Sequence, residues 1–204
     1  MMLVMIVVVF ITGAANGIGR TLARKIFTEA LNVTLALLDI DIKALEKLQT
    51  ELVQSLHDKE DKRVVIYDCD VSDYEAVSAC MARVVAHVAL KHIEVLVNNA
   101  ALTPEQIQKT FAVNTLAHFW ALKTALSSMK KTPEALLVTV SSVMGMMSSA
   151  GLTDYCASKA AVNAFHEAVR LELWHDNVKS IRTLLICPAA VHVCGRLGCE
   201  RLGA

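Results

Sequence analysis

The sequence predicts an α/β fold in which a doubly wound parallel sheet of about six strands carries helices on both faces. Short apolar runs rich in Val and Ile alternate along the chain with segments of helical periodicity. Such alternation requires crossover connections, which are right-handed and leave helices on both faces of the sheet. A glycine-rich turn directly after the first apolar run is a third indication, because it joins strand to helix in folds of this class.

Length and composition indicate one globular domain spanning residues 1–204. Hydrophobic residues make up 54% and charged residues 20%, which excludes a disordered chain. Lys and Arg number 20, as do Asp and Glu, so the net charge is zero and argues against nucleic acid as a partner. The six cysteines are expected to be free thiols in a reducing, intracellular compartment. The apolar start is too short for a spanning helix and lacks the basic region of a signal peptide.

Apolar runs and helix-start patterns place the individual elements. The spacing of apolar residues predicts amphipathic helices across residues 42–56 and 77–88. Ser72 with Glu75 forms a capping-box pattern that predicts a helix start near residue 73, and Thr103 followed by Pro104 predicts another near 104. The predicted strands are residues 3–11, 33–38, 63–67, 93–97, 135–140 and 181–186.

The glycine-rich turn predicts a dinucleotide site. It follows the first strand and opens a helix, where free N–H groups and the helix dipole favour a pyrophosphate. Asp39 ends the second strand 20 residues after Gly19, where a carboxylate can accept hydrogen bonds from ribose hydroxyls. It would repel a 2′-phosphate, and neither Asn16 nor Ile40 supplies a cation, so NAD is expected rather than NADP. The alternatives are a tight turn without ligand and Asp39 as a helix cap. The turn residues assigned to the cofactor are Gly13, Asn16, Gly17, Ile18 and Gly19.

A second group of residues predicts acid–base chemistry. Tyr155 and Lys159 are four residues apart in a helical segment, which puts phenol and ammonium on one face, where the positive charge favours the phenolate. Ser142, after the fifth strand, is positioned to hold a substrate oxygen beside the phenol. Taken singly, the Tyr–Lys pair is also compatible with an exposed surface pair, and the serine with an ordinary turn.

These motifs together resemble the short-chain dehydrogenase/reductase family, which combines Thr-Gly-xxx-Gly-x-Gly, Asn-Asn-Ala-Gly, a catalytic Ser and Tyr-xxx-Lys in this order. The resemblance implies that Tyr155 is the general acid/base, that Lys159 assists it and contacts ribose, and that Ser142 binds the substrate carbonyl. It implies that Asn114 holds a water in a proton relay; an exposed helix residue is the alternative. The further cofactor contacts that it implies are Asp70, Val71, Asn98, Ala100, Pro188 and Val191.

Residues 107–120 are similar to the branch of this family with hydroxysteroid and epidermal-type retinol dehydrogenases. That similarity implies hydride transfer between NAD(H) and a hydrophobic alcohol or carbonyl, such as a retinoid, steroid or long-chain alcohol. It also implies a cytoplasmic location, or peripheral attachment to the endoplasmic reticulum or lipid droplets. We expect Met144, Met146 and Met147 to pack in the core; an adaptable apolar wall for substrate is the alternative.

Several positions depart from the family pattern. Ala101 replaces a glycine, and the connection from Asn99 to Asn114 is about ten residues shorter than the family has, which we expect to disturb the placement of Asn114. Val193 replaces a threonine that binds the carboxamide. The family's seventh strand and substrate lid are missing, which predicts an exposed sheet edge and favours a partner or a homo-oligomer. The alternative function is therefore a catalytically silent NAD-binding protein or truncated isoform. No metal is predicted, because His192, Cys194 and Cys199 lack a fourth ligand.

Overall fold

The computed structural model describes residues 7–30, 32–55, 64–86, 92–102 and 106–189. Its centre is a single sheet of six strands in the order β3-β2-β1-β4-β5-β6, and every neighbouring pair is parallel. This confirms the predicted doubly wound sheet. The strand order reverses between β1 and β4, and ligands of such sheets bind at the carboxyl ends of the strands beside that switch point.

The six predicted strands are all present, with small differences at their ends. The strands are β1 Val7–Thr12, β2 Val33–Asp39, β3 Val64–Asp68, β4 Val95–Asn98, β5 Ala135–Val140 and β6 Ile181–Ile186. Strand β4 begins two residues later than predicted, because the Ile93 N–H donates to the Ser128 hydroxyl rather than to a neighbouring strand. The predicted starts of the first and third strands, residues 3–6 and 63, lie outside the described residues.

Six α-helices connect or flank the strands. They are α1 Gly17–Glu29, α2 Ile42–Gln54, α3 Tyr74–Ala86, α4 Ile107–Phe111, α5 Ala117–Met129 and α6 Thr153–His175. A π-helical turn, Ala112–Leu116, joins α4 to α5 without a break, and a 3-10 turn, Val143–Gly145, follows β5. Within the described part of the chain, none of the helices combines the length and apolar character needed to cross a membrane.

The helix starts correct two sequence predictions. Helix α3 begins at Tyr74 and is capped by Asp73, whose carboxylate accepts from the Glu75 and Ala76 N–H groups. The Ser72 hydroxyl instead donates to Asp70, so the predicted Ser72–Glu75 capping box does not form. Helix α4 begins at Ile107 rather than near 104, and Thr103, Pro104 and Glu105 lie outside the described residues.

Two hydrophobic layers cover the sheet, one on each face. Alternate residues of β1 enter opposite layers, as the two-residue period of a strand requires. Val8 and Phe10 pack with residues of α3, α5 and α6, whereas Val9 and Ile11 pack with residues of α1 and α2. The helices thus hold the carboxyl ends of β1 to β5 in fixed relation to each other. These ends carry most of the predicted site residues.

Candidate active site

A cleft of about 140 Å³ crosses the carboxyl ends of the central strands. The turn after β1, the ends of β2, β3 and β4, and helix α4 all contribute residues to its walls. Several of the residues that the sequence predicts as cofactor contacts line it. The lining includes Gly13, Asp39, Asp70, Val71, Ala100 and Lys109.

The glycine-rich turn has the backbone geometry that its sequence predicts. Gly13 and Gly17 have φ of 66° and 59°, in the left-handed region that favours glycine. A Cβ on Gly13 would lie 2.7 Å from the Ala100 Cα, and one on Gly19 would overlap the Gly13 carbonyl oxygen. Exposed Asn16 is the N-cap of α1 but makes no side-chain cap hydrogen bond, so it leaves N–H groups of the first turn for a ligand, as at other anion-binding helix ends. Ile18 packs against the core layer beneath α1.

Asn99 holds this turn against β4, a role that the sequence analysis did not assign. Its side-chain amide donates to the carbonyls of Thr12 (2.9 Å) and Gly13 (3.0 Å). The Thr12 hydroxyl in return accepts from the N–H groups of Asn99 and Ala100. These bonds join the ends of neighbouring strands through residues that are 86 to 88 positions apart in sequence. The Asn-Asn-Ala motif was the available signal, but only the fold shows which asparagine contacts the turn.

Asp39 faces the turn and does not cap α2. Its Oδ2 accepts from the Ala15 N–H at 3.0 Å, and its Oδ1 accepts from the Asp41 N–H at 3.1 Å. The cap of α2 is Asp41, which accepts from the Ala44 N–H. Each Asp39 oxygen retains a lone pair for a ribose hydroxyl. The helix-cap alternative for Asp39 is therefore wrong, and its carboxylate is fixed at the cleft.

The other predicted cofactor residues fall into two groups. Asp70, Val71 and Ala100 line the cleft, with Asp70 exposed and its Oδ1 accepting from the Ser72 N–H and hydroxyl. Asn98 is 2% exposed, and its side-chain amide donates to the His118 carbonyl, so that side chain faces α5. Asn98 therefore supports the strand end, with its side chain in the protein interior.

Tyr155 and Lys159 lie together near the start of α6. The Lys159 Nζ is 5.9 Å from the centre of the Tyr155 ring and donates to the Val140 carbonyl at 3.2 Å. Lys159 is only 1% exposed, whereas Tyr155 is half-buried, so the phenol reaches the surface above a buried ammonium. Burial lowers the pKa of Lys159 to about 8, which leaves the ammonium as the main form at pH 7. An exposed surface pair, the alternative for these residues, is thereby excluded.

Asn114 is buried and bonded to two parts of the site. It lies in the π-helical turn, a kind of helix distortion that is frequent at functional sites. Its amide group accepts from the Leu102 N–H (2.7 Å) and donates to the Leu102 carbonyl (3.1 Å) and to the Ser158 hydroxyl (3.2 Å). With 0% exposure, the exposed-helix alternative is wrong. The short connection after Ala101 is tied directly to helix α6 through this residue.

The end of β5 carries Ser142, which is 8% exposed. Its hydroxyl caps the 3-10 turn by accepting from the Met144 N–H, and it donates to the Pro188 carbonyl over a long 3.5 Å. Pro188 also accepts from the Val143 N–H, so the segment after β6 is tied to the segment after β5. Val191 and Val193 lie outside the described residues, as do His192, Cys194 and Cys199.

The methionines after Ser142 correct a second expectation. Met146 and Met147 are 66% and 68% exposed, and Met144 is partly buried, so a core role is wrong for the first two. They lie in the segment between Ser142 and Tyr155, where the chain curves outward from the sheet. The apolar-wall alternative fits this placement.

Two buried histidines lie behind Lys159 and were not assigned from the sequence. His166 Nδ1 is 2.9 Å from the Thr139 hydroxyl, whereas both ring nitrogens of His118 are buried without a hydrogen-bond partner in the described part of the chain. Burial, with Lys159 and His166 as smaller causes, lowers the pKa of His118 to about 3. His118 is therefore neutral at pH 7 and adds no second charge beside Lys159.

A dinucleotide-type turn, an acidic residue at the end of β2 and a Tyr–Lys pair thus occur together on a doubly wound parallel sheet. The family comparison agrees: residues 7–195 match the short chain dehydrogenase family. The chain belongs to the short-chain dehydrogenase/reductase family.

Relatives place it in the retinol dehydrogenase-like branch. It is 34% identical over 190 residues to bovine "Short-chain dehydrogenase/reductase family 16C member 6", covering 89% of this chain and 58% of the relative. It is 33% identical over 220 residues to human "Retinol dehydrogenase 10", covering 95% of this chain and 64% of the relative. It is 34% identical over 190 residues to human "Epidermal retinol dehydrogenase 2", covering 89% of this chain and 59% of the relative. The chain thus spans about three fifths of the length of these relatives.

Solved structures show the same fold. An alcohol dehydrogenase from Thermococcus sibiricus, complexed with 5-hydroxy-NADP, matches with a TM-score of 0.80 and 26% identity, covering 92% of this chain and 77% of that one. A short chain dehydrogenase/reductase from Burkholderia phymatum, in complex with NAD, matches with a TM-score of 0.82 and 26% identity, covering 92% and 67%. Members of this fold thus bind either cofactor.

Proposed function

We propose that this chain is an NAD-dependent oxidoreductase that interconverts a hydrophobic alcohol and its carbonyl. The single observation that carries the proposal is the buried Lys159 ammonium 5.9 Å from the Tyr155 ring on one face of α6. The names of the relatives, two of them retinol dehydrogenases, support a retinoid or a similar long apolar alcohol as substrate.

Tyr155 is the proposed general acid/base. In the oxidative direction its oxygen takes the hydroxyl proton of the substrate while hydride leaves the same carbon; in the reductive direction it returns a proton to the carbonyl oxygen. Bound NAD supplies the hydride acceptor, and NADH the donor. The Lys159 ammonium beside this ring is buried and has no carboxylate within ion-pair distance in the described part of the chain, so no ion pair neutralises its charge there.

Ser142 and Asn114 have supporting roles in this proposal. The Ser142 hydroxyl accepts from the Met144 N–H and donates to the Pro188 carbonyl only over a long 3.5 Å, so its proton can turn toward a substrate oxygen. The Asn114 side chain is fully engaged with Leu102 and Ser158, so we assign it to positioning α4 against α6.

The cleft fits a dinucleotide whose adenosine half lies over β1 and β2. Glycines allow the backbone to approach the phosphates at the start of α1, and Asp39 presents its carboxylate where ribose hydroxyls would lie. We infer a preference for NAD over NADP, since that carboxylate repels a 2′-phosphate.

The substrate side supports an apolar ligand. The exposed Met146 and Met147 lie between Ser142 and Tyr155 in sequence and offer flexible, polarisable contacts. A long aliphatic or polyene substrate gains about 0.8 kcal/mol for each CH₂ that it buries against such a surface.

Tyr155→Phe tests the proposal. Turnover of NAD with retinol should fall at least about 100-fold, because the variant keeps the ring and loses the ionisable oxygen, whereas NADH affinity measured by fluorescence titration should stay within about twofold. Retained turnover would exclude Tyr155 as the acid/base. NADH binding without turnover in the unmodified chain, across retinoids, steroids and fatty alcohols, would favour the silent NAD-binding alternative.

A further inference from the structure

The cofactor cleft contains a cation that does not come from the glycine-rich turn or from the end of β2. Lys109, in the first turn of α4, lines the same cleft as Gly13, Asp39 and Asp70. Among the described residues that line the cleft, the only charged ones besides Lys109 are the two aspartates. The described cleft lining therefore combines residues from the ends of β1, β2 and β3 with one positively charged side chain from α4, the helix that follows β4.

The fold fixes α4 over this cleft from both ends. Leu102, at the end of the β4 segment, is held through its N–H and carbonyl by Asn114. Only four residues separate Leu102 from the start of α4 at Ile107, so the helix cannot lie far from the strand ends. On the other side, the buried Thr110 hydroxyl donates to Asp154 of α6 at 3.1 Å. The position of Lys109 thus follows from contacts of its immediate neighbours.

Within the described part of the chain, the Lys109 ammonium has no ion-pair partner that would draw it away from the cleft. None of the ion pairs formed within the described part of the chain includes Lys109, and neither cleft aspartate is within 4 Å of it. Arg20, the cation nearest to the glycine-rich turn in sequence, differs in this respect. Its guanidinium is bonded to both Glu51 oxygens and to the Ala15 carbonyl, and so is already occupied.

We propose that Lys109 is a phosphate-binding residue of the cofactor site, contacting a phosphate on the adenosine half of the dinucleotide. An ammonium on a flexible stem, in a cleft whose other described charged residues are carboxylates, binds a phosphate anion more strongly than it binds the uncharged adenine ring. The phosphate is either part of the pyrophosphate near Gly13 or a 2′-phosphate near Asp39. In the second case Lys109 offsets the repulsion from Asp39 and narrows the preference for NAD. The inference rests on the proposed function, because it requires that this cleft hold a dinucleotide.

The test compares Lys109→Met, which keeps the length and removes the charge, with Lys109→Arg, which restores the charge. Lys131→Met is the matched control, because it removes the same charge from an exposed residue just before β5, at the amino ends of the strands. NADH and NADPH are titrated by fluorescence, and ADP and adenosine by calorimetry, each at low and at physiological ionic strength.

Lys109→Met should weaken each ligand that carries the contacted phosphate about tenfold, as for loss of one hydrogen bond to a charged group, and leave adenosine unchanged. A pyrophosphate contact predicts this loss for NADH, NADPH and ADP, whereas a 2′-phosphate contact predicts it for NADPH alone. Lys109→Arg should restore most of the affinity. Lys109→Met, which lacks the charge, should show a weaker salt dependence of NADH binding than the unmodified chain if the contacted phosphate belongs to the pyrophosphate. An equal loss for NADH and NADPH assigns the contact to the pyrophosphate, and a larger loss for NADPH assigns it to the 2′-phosphate.

The inference would be overturned if Lys109→Met bound NADH, NADPH and ADP within twofold of the unmodified chain, or if it lost as much affinity for adenosine as for the phosphate-bearing ligands. Either result would leave the proposed function intact. A folded, unmodified chain that binds none of these nucleotides would overturn both. The two failures are thus distinguishable from the same titrations.

Discussion

Lys159→Met is expected to make the protein more stable at neutral pH while it removes a group that the proposed function requires. The ammonium is 1% exposed and donates to one acceptor, the Val140 carbonyl, at 3.2 Å. A buried charge with so little compensation is costly to the folded state, and this cost is expressed as a pKa lowered by burial from 10.5 to about 8. Functional residues frequently reduce stability in this way.

The magnitude follows from the two pKa values. Their difference of about 2.5, at 1.36 kcal/mol for each pKa unit, corresponds to about 3 kcal/mol of lost stability at pH 7. Methionine fills nearly the same volume but leaves the Val140 carbonyl without its donor, which costs about 1 kcal/mol. The expected net gain for the variant is therefore about 2 kcal/mol at pH 7.

The sign of the pH dependence gives a sharper test. Below pH 8 both the folded and the unfolded chain carry the ammonium, so the penalty is fully present. Between pH 8 and 10.5 the unfolded state binds more protons than the folded state, and the stability of the unmodified chain rises relative to the variant. At pH 10.5 the advantage of the variant should have disappeared.

Urea unfolding, followed by far-UV circular dichroism at pH 7 and pH 10.5 in a reducing buffer, measures both quantities. Lys131→Met removes an exposed charge and is the control. The difference in free energy of unfolding between this variant and the unmodified chain should be nearly the same at both pH values. The reasoning would be refuted if Lys159→Met were less stable than the unmodified chain at pH 7, or if its free energy of unfolding differed from that of the unmodified chain by the same amount at both pH values.

Two further substitutions test the cofactor turn and the packing of α6. Asp39→Ala should weaken NADH more than NADPH in a fluorescence titration, because it removes both a ribose acceptor and a charge that repels a 2′-phosphate; an equal loss would contradict that role. Gly145→Ala should cost about 1–3 kcal/mol in urea unfolding and reduce turnover, because the new Cβ would lie 2.6 Å from the Lys159 carbonyl oxygen. Gly151→Ala introduces backbone strain, because φ there is 79°, but its added Cβ meets nothing within 4 Å; it should retain turnover, and a matching loss of turnover there would argue against a steric effect at Gly145.

Local sequence was sufficient for the sheet and for the elements of the site. Strands β5 and β6 have the predicted bounds because their apolar runs end abruptly in polar or turn residues. Helix starts were less predictable, since several polar residues near each start compete for the cap. At α3 Asp73 takes this role, and the hydroxyl of Ser72 bonds to Asp70 instead.

The exposure of single side chains depends on neighbours that are distant in sequence. Met146 and Met147 are apolar and were expected in the core, yet the segment after β5 leaves the sheet and exposes both. Asn114 is polar and would ordinarily be exposed on a helix, yet its contacts with Leu102 and Ser158 bury it completely. Hydropathy alone contains no information on such contacts.

The sequence by itself determined the class of fold and supplied the residues of the proposed site: a glycine turn and Asp39, proposed to bind a dinucleotide, and Tyr155 with Lys159, proposed to transfer a proton. These depend on spacing along one strand–turn–helix unit or one helix, so the local chain contains the whole signal. Only the tertiary structure decided which asparagine holds the turn, that Lys159 is buried, and that the cleft includes Lys109. The physical reason is that each of these results from elements brought together by the parallel sheet, whose strand order reverses between β1 and β4.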